Sequence, residues 1–314
     1  MDDVPTPPIP GAPVEAALSR GLAAGDAMLG SVPGVLRHLL VHDDSALFTE
    51  SLLARTRAMM ADLAAQIAGA IAGASPAAPA GTEQDTAAIE AALIATPGLL
   101  AHLHATAIEW QVTEALQQRI GIDPVLSPLV QALIASPDGD VGAAAMTMLA
   151  AQARFAQAQR RMRLPLGELP PDLVHAALAA IAPLDGEGRG SATIRAQYDE
   201  RATRLGLLAR LVTCMGAGAI AALSLGHGGL ALFATTMAIA CDLPRDVCLL
   251  ATQEGQATRL ALALRAAGLK ASVIEEVLLA LHPDARGLFG IAEVSPERAA
   301  GLLAASPLAG LAAG

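Results

Sequence analysis

The chain has 314 residues, enough for two domains or one extended array, and its formal net charge is −10. Hydrophobic residues make up 54% of the chain and charged residues only 16%, and the apolar residues are mostly alanine and leucine. An acidic chain with few aromatics lacks the cations and stacking platforms that nucleic acids need, so we expect no polynucleotide partner. Because alanine and leucine favour helices and strand-forming residues are scarce, the composition predicts an all-α fold without a sheet.

The three cysteines, Cys214, Cys241 and Cys248, are an odd number without metal-type spacing, so we expect no disulfide framework. Their small apolar neighbours favour buried thiols in a reducing compartment. The first residues contain neither a basic region nor an apolar segment, which is unlike a secretory signal. These features together predict a cytoplasmic protein.

The N-terminal part is predicted to be helical after a short tail. Residues 1–13 contain several prolines and are expected to form a flexible tail. Residues 14–73 are expected to form a helical block with one helix at 14–29 and a short one at 35–41. A long helix then opens at the N-cap cluster 42–45.

A linker and a run of central helices follow. Residues 74–84 have the proline- and alanine-rich composition of a linker. Residues 85–182 are predicted to form central helical repeats, and one of these helices opens at the acidic turn 136–140 and runs to Arg160. The alternating glycines of residues 183–191 predict a loop.

The C-terminal helices have the clearest start and stop signals. Within residues 192–285 we expect Asp242 to be an N-cap, Gly268 to end a helix, and Ser272 to begin a capping box. Residues 286–314 are predicted to be an alanine-, glycine- and leucine-rich tail with a short helix. Short helices joined by tight turns are typical of stacked antiparallel hairpins, so we predict a HEAT-like array.

Several short motifs give the chain a likeness to a known family. They are AAQARF at 150–155, RRM at 160–162, LPL at 164–166, LP at 169–170, DLVH at 172–175, GH at 226–227, LF at 232–233, RL at 259–260 and LRAAGL at 264–269. In these motifs residues 30–285 resemble an uncharacterised alphaproteobacterial family, a domain of unknown function with HEAT-like helical repeats. The resemblance implies a bacterial helical-repeat protein, and it implies no functional residue.

Residues 211–241 contain no Asp, Glu, Lys or Arg and are long enough to span a membrane. The glycines of residues 226–229 divide this stretch into two helix-sized halves around His227, and neither end has an aromatic belt or a cluster of positive charges. We therefore expect two neighbouring buried helices that meet at a turn, and a membrane anchor is the alternative. His227 is a candidate functional residue in that turn, as a ligand or a proton acceptor, but a turn histidine that is hydrogen-bonded to the backbone is the favoured interpretation.

The glycines at Gly216 and Gly218, with Ala221, fit the dinucleotide fingerprint G-x-G-x-x-G/A, and Asp242 lies at a tolerable distance beyond them. That fingerprint needs a strand before the glycines, and the preceding residues are charged and helical. Small residues for close helix packing are therefore favoured over nucleotide binding.

His102 and His104, with Glu109 and Glu114, suggest a metal site at first sight. Residues two apart on a helix face different directions, so the two imidazoles cannot share one ion. His102 and Glu109 are seven apart and share a face, but two ligands do not make a site. We predict solvated or capping histidines and no metal site.

Four arginines cluster near the end of the predicted central helix. They are Arg154, Arg160, Arg161 and Arg163. Cations are favoured at a helix C-terminus, and Glu168 and Asp172 are the expected ion-pair partners. The alternative is a docking patch for an acidic protein.

No serine, cysteine or aspartate of the chain lies in a recognisable nucleophile motif, so we predict no catalytic residue, no cofactor and no enzymatic activity. The leading hypothesis is a non-enzymatic helical-repeat scaffold that binds an unknown protein partner, because such arrays present extended surfaces. A membrane-associated protein anchored through residues 211–241 is the second hypothesis, and nucleotide binding at Gly216 and Gly218 is the third.

Overall fold

The structure of the chain is a computed structural model that describes residues 12–41, 50–74, 83–283 and 290–306. In these ranges every regular element is a helix and no strand occurs, so the predicted all-α helical fold is confirmed. The α-helices are α1 (Ala12–Val41), α2 (Glu50–Ala74), α3 (Glu83–Ile94), α4 (Leu99–Ile120), α5 (Pro128–Ile134), α6 (Gly139–Arg160), α7 (Pro171–Ala180), α8 (Arg189–Gln197), α9 (Arg204–Met215), α10 (Leu225–Cys241), α11 (Arg245–Leu250), α12 (Ala257–Ala266), α13 (Ala271–Leu281) and α14 (Pro296–Ala304). The 3₁₀ helices are Leu166–Glu168, Glu200–Ala202, Gly216–Leu223, Glu254–Gln256 and Ile291–Glu293.

Short polar side chains set several of the helix starts. The Asp138 carboxylate caps α6 by accepting the N–H groups of Asp140 and Val141 at 3.0 and 3.3 Å. The Ser295 hydroxyl caps α14 by accepting the Arg298 N–H at 3.2 Å. Each cap satisfies donors that have no partner inside the helix, which is why these residues favour the position.

The C-terminal signals are partly confirmed. Gly268 has a φ of 90° and ends α12, and the Leu269 N–H donates to the Leu264 carbonyl as in a glycine-terminated helix. The capping-box prediction for Ser272 is wrong, because the N-cap of α13 is Lys270, two residues earlier, and no side chain caps the helix. The N-cap prediction for Asp242 is also wrong: it ends α10 in the left-handed region, with a φ of 51°.

Part of the N-terminal prediction lies outside the described residues. The N-cap cluster 42–45 and most of the linker at 74–84 belong to that part. The two helices expected at 14–29 and 35–41 are instead one helix, α1, which continues through Pro33.

α4 is the centre of the fold, since α1, α2, α10, α11 and α13 all pack against it. Its middle is buried on all sides, including Leu103, Ile108 and Trp110, so polar side chains from this helix are buried as well. Contacts also join helices far apart in the sequence, such as α1 with α12 and α2 with α8. The HEAT-like repeat stays a prediction.

A second apolar cluster joins α5, α6, α9, the 3₁₀ helix Gly216–Leu223 and α10. It is built on Leu129, Met148, Leu208, Leu211 and Leu232, which are at most 6% exposed. This cluster fixes α9 against the body of the protein.

Residues 211–241, which we call the uncharged stretch, have three parts. They are the end of α9, the 3₁₀ helix Gly216–Leu223, and α10. The expectation of two buried helices is wrong for the first half. Gly216, with a φ of 52°, ends α9, and the 3₁₀ helix is largely exposed. The second half is buried, although α10 has a break at Gly229, where φ is 73°. Glycine permits both positive-φ positions.

Candidate functional site

The most unusual feature of the core is an ionised carboxylate at its centre. The Glu109 side chain, from α4, is 2% exposed, and both of its oxygens accept hydrogen bonds from two arginines. Arg204, at the start of α9, donates from Nη1 and Nη2 at 2.8 and 3.2 Å. Arg245, at the start of α11, donates from Nη1 and Nη2 at 3.0 and 2.7 Å. Both contacts are bidentate pairings, the strongest geometry for an arginine and a carboxylate.

Arg204 extends this arrangement toward the surface. Its Nε donates to Glu168 Oε2 at 2.8 Å, its Nη1 also donates to Gln152 Oε1 at 3.3 Å, and its guanidinium lies 3.5 Å from the centre of the Phe155 ring. We call Glu109, Gln152, Glu168, Arg204 and Arg245 the Glu109 cluster. With two carboxylates and two guanidiniums it is electrically neutral, which offsets the cost of burying its charges.

Electrostatics keep the cluster ionised. Burial alone would raise the pKa of Glu109, but the attraction of Arg204 and Arg245 and their hydrogen bonds outweigh it and hold that pKa well below its usual range. For Arg204, burial acts to lower the pKa, and the attraction of Glu109 and Glu168 outweighs it, so the pKa is raised. Arg204 therefore carries its charge at any physiological pH.

A partly buried ion pair lies beside the cluster. His102 Nδ1 is 2.8 Å from Asp246 Oδ2, and the imidazole is 4% exposed. Burial acts to lower the pKa of His102, but the attraction of Asp246 and the hydrogen bond outweigh it and raise the pKa. His104 is 5% exposed, and burial lowers its pKa to about 4.

The prediction of solvated or capping histidines is therefore wrong, because α4 is surrounded by other helices and its histidines are buried. His102 bonds to Asp246, and Glu109 bonds to two arginines, although the two residues share a helix face as expected. Glu114 lies on the exposed side of α4. In the described part of the chain no group of three His, Cys, Asp or Glu side chains could hold a metal ion.

A cavity of about 580 Å³ opens next to the Glu109 cluster. It is lined by Gln66, Ala70, Ala151, Arg154, Phe155, Pro165, Leu166, Gly167, Glu168, Ile194, Gln197, Tyr198, Asp199, Ala202, Thr203 and Arg204. Its size is within the range of small-molecule sites, and it combines apolar walls with a few polar groups, as such sites do.

The structure separates the four clustered arginines. Arg154 lines the cavity, whereas Arg160 and Arg161 are exposed and have no side-chain partner within the described ranges. The Arg163 side chain is 63% exposed, and its Nε lies 3.8 Å from Asp62 Oδ1. The expected pairing of this patch with Glu168 is wrong, because Glu168 faces inward and binds Arg204.

His227 lies in the first turn of α10 and is half-buried. Its backbone N–H donates to the Ser224 carbonyl at 3.1 Å, and its ring has no partner among the residues that the structure describes. The neighbouring glycines have a packing reason: a Cβ on Gly228 would lie 2.7 Å from the Ala222 carbonyl oxygen. Gly229 adopts a positive φ.

Gly216 and Gly218 follow a helix and not a strand. Gly216 ends α9 with a φ of 52°, and Gly218 lies within the 3₁₀ helix. The strand, glycine turn and helix that a dinucleotide fingerprint requires are therefore not present around these two residues.

No local pattern in the sequence links Arg204, Arg245, Glu168 and Gln152 as a group. One signal was visible: Arg204 and Arg245 lie on either side of the uncharged stretch. Comparison with known proteins finds no match, since no family model, no curated protein and no solved structure is similar to the chain.

Proposed function

We propose that the chain is a non-enzymatic helical scaffold that binds a protein partner through an exposed apolar surface at the end of α9. We call residues 213–220 the α9 ridge. This segment has no charged side chain, and Ile220 is 56% exposed at its tip. Cys214, Gly216, Ala217 and Gly218 are exposed as well. An exposed, uncharged surface of this kind commonly marks an interaction site, and this single observation carries the proposal.

The α9 ridge also rests on a rigid support. Leu207, Leu208, Leu211 and Val212 anchor α9 in the second apolar cluster and are at most 3% exposed. A preformed surface loses little conformational freedom when a partner binds, so more of the contact energy appears as affinity. The rigid support of the α9 ridge therefore favours its use as a docking surface. We propose that the protein acts in the cytoplasm.

The exposed arginines at the end of α6 are a second candidate contact for the partner. Arg160 and Arg161 project from the helix terminus without a partner in the described part of the chain. Charges of this kind act mainly on the rate and specificity of association with an acidic partner.

Membrane association is the second candidate function, and one observation favours it. Arg204–Leu223 is long and apolar enough to cross a membrane, and 28% of its most apolar window is buried. The helix pair Gln84–Ile94 and Leu99–Ile120 passes the same test only as a pair bent by 91°. A span through Arg204–Leu223 would withdraw Arg204 from Glu109 and leave a buried carboxylate short of a partner, which is costly. We therefore favour docking of a protein over a span.

Nucleotide binding at Gly216 and Gly218 is the weakest of the three hypotheses, because the helix that precedes these glycines does not supply the geometry of the fingerprint. A rise in the melting temperature of the protein with any member of a panel of dinucleotides would support this hypothesis.

Site-specific crosslinking tests the proposal. A photoreactive amino acid at Ala217 should capture a discrete partner in the native host, and Ile220→Asp in the same protein should abolish the crosslink. Leu279→Asp is the matched control, since Leu279 is 55% exposed on α13, and it should leave the crosslink intact. Purified wild-type protein and partner should then associate, with Ile220→Asp at least tenfold weaker.

Fractionation separates the two candidate functions. Under the scaffold proposal the chain is released from membranes by a carbonate wash. A chain that stays in the washed pellet, or a crosslink that Ile220→Asp leaves unchanged, contradicts the proposal. Substituting Arg160 and Arg161 with Glu tests the second contact, and unchanged capture of the partner would exclude these two arginines.

A further inference from the structure

The cavity beside the Glu109 cluster has a chemistry of its own, separate from the α9 ridge. α2, α6 and α8 contribute its apolar walls, among them Ala70, Phe155 and Ile194. Its volume of about 580 Å³ is enough for a small molecule with a hydrocarbon group. The polar groups that face this space decide what kind of molecule fits.

The floor of the cavity offers a carboxylate. Glu168 is 11% exposed, and its Oε2 accepts the hydrogen bond from Arg204. Its other oxygen, Oε1, has no partner among the described residues, so it can accept a hydrogen bond from a ligand. A carboxylate oxygen in a partly buried site of this kind gains most from a charged donor such as an ammonium group.

Arg204 also lines the cavity but is not available to bind an anion. Its Nε, Nη1 and Nη2 atoms already donate to Glu168, Gln152 and Glu109, and Phe155 lies against its guanidinium. A ligand anion would have to displace buried carboxylates from it. The floor therefore selects for a cationic group.

The rim supplies the opposite charge. Arg154 lines the cavity from α6, is exposed, and has no partner within the part of the chain that the structure describes. Guanidinium groups pair well with carboxylates, and a free one at the edge of a cavity is suited to a ligand's anionic end. The rim also carries the Asp199 carboxylate, one oxygen of which accepts the Arg201 N–H at 3.0 Å.

From these groups we infer that the cavity binds a small zwitterion with an apolar body, of the class of amino acids and short peptides. The ligand's ammonium group lies at Glu168, its carboxylate at Arg154, and its side chains against the apolar walls. This binding site is independent of the proposed protein-docking surface, and either can fail without the other.

Calorimetric titration of the full chain with the dipeptide leucyl-leucine tests the inference. Two blocked forms are the matched ligands: N-acetyl-leucyl-leucine lacks the ammonium group, and leucyl-leucine amide lacks the carboxylate. The free dipeptide should bind at millimolar concentration or below, and each blocked form about tenfold or more weakly, because each loses a charge-assisted hydrogen bond. Absence of heat with all three compounds, or equal affinity for them, overturns the inference.

Variants then place the ligand. Arg154→Gln removes the rim cation and should weaken the free dipeptide about tenfold while leaving the amide form unchanged. Arg160→Gln is the matched control, an exposed arginine of the same helix that does not line the cavity, and it should bind as the wild type does.

A third variant blocks the cavity itself. Ala202 lines the cavity and is exposed, so Ala202→Trp places an indole in this space, and it should abolish binding. Circular dichroism of each variant confirms that the fold is intact. Binding that survives Ala202→Trp, or an equal effect of Arg154→Gln on the free and amide forms, overturns the assignment.

Discussion

The buried carboxylate of Glu109 gives the sharpest test of how this fold is held together. In Glu109→Gln the side chain keeps its size but loses its negative charge, and its amide nitrogen faces guanidinium donors. Four hydrogen bonds from Arg204 and Arg245 converge on the native carboxylate. After the change Arg204 keeps only the carboxylate of Glu168, and Arg245 loses its carboxylate partner. Breaking a buried ion pair from one side costs about 3–5 kcal/mol, and we expect a loss of stability in that range.

Urea denaturation followed by circular dichroism measures this loss. Thermal unfolding measures the same loss in a second way. For a chain of 314 residues the entropy of unfolding is about 0.7 kcal/mol/K, so the melting temperature should fall by about 5–8 °C. Glu114→Gln is the control on the same helix, because Glu114 is exposed, and it should change stability by no more than about 0.5 kcal/mol.

A result in which both variants unfold at the same urea concentration would refute this reasoning. It would mean that Arg204 and Arg245 reach other partners or water once Glu109 is neutral. The cluster would then be an incidental contact, and α4, α9 and α11 would be held together by apolar packing alone.

Three further predictions concern single side chains. Leu264→Ala should cost about 2–5 kcal/mol in urea denaturation, since Leu264 is fully buried at 0% exposure, whereas Leu279→Ala on the exposed face of α13 should cost much less. Burial lowers the pKa of His104 to about 4 in the folded protein, so as the pH falls the unfolded chain binds this proton first, and the contribution of His104 to the free energy of unfolding is complete above pH 6.5. Between pH 6.5 and pH 4 the free energy of unfolding should fall by about 3 kcal/mol, and a His104→Gln variant should not show this loss. A thiol reagent should modify exposed Cys214 in the native protein within minutes and leave Cys248 unmodified, because burial raises the pKa of the Cys248 thiol; equal rates would contradict this.

Features set by neighbouring residues could be predicted from the sequence. The helix that opens at Asp138 and ends near Arg160, and the stop at Gly268, follow from local rules of capping and backbone conformation. The same rules fail at Ser272, because the helix begins at Ala271 and its N-cap is Lys270, two residues before Ser272, with no side-chain cap. Local signals thus give the type of an element more reliably than its first residue.

The candidate site could not be predicted, because its members come together only through packing. Glu109 is 95 positions from Arg204 and 136 from Arg245, and no local pattern links residues so far apart. Helical periodicity placed His102 and Glu109 on one face of α4, which is right, but it could not show that other helices bury this face. The histidines were therefore expected in solvent, whereas they lie in the core.

The two arginines also explain how the uncharged stretch is held. Arg204 lies before residues 211–241 and Arg245 lies after them, and both donate to the same carboxylate of α4. The stretch is therefore a segment tied at both ends to one buried charge, with α10 packed inside and the α9 ridge left on the surface. Moving it into a bilayer would separate these ion pairs, whereas a partner protein can cover the ridge without disturbing them. These ion pairs are our reason for preferring the proposed protein-docking surface to a membrane span.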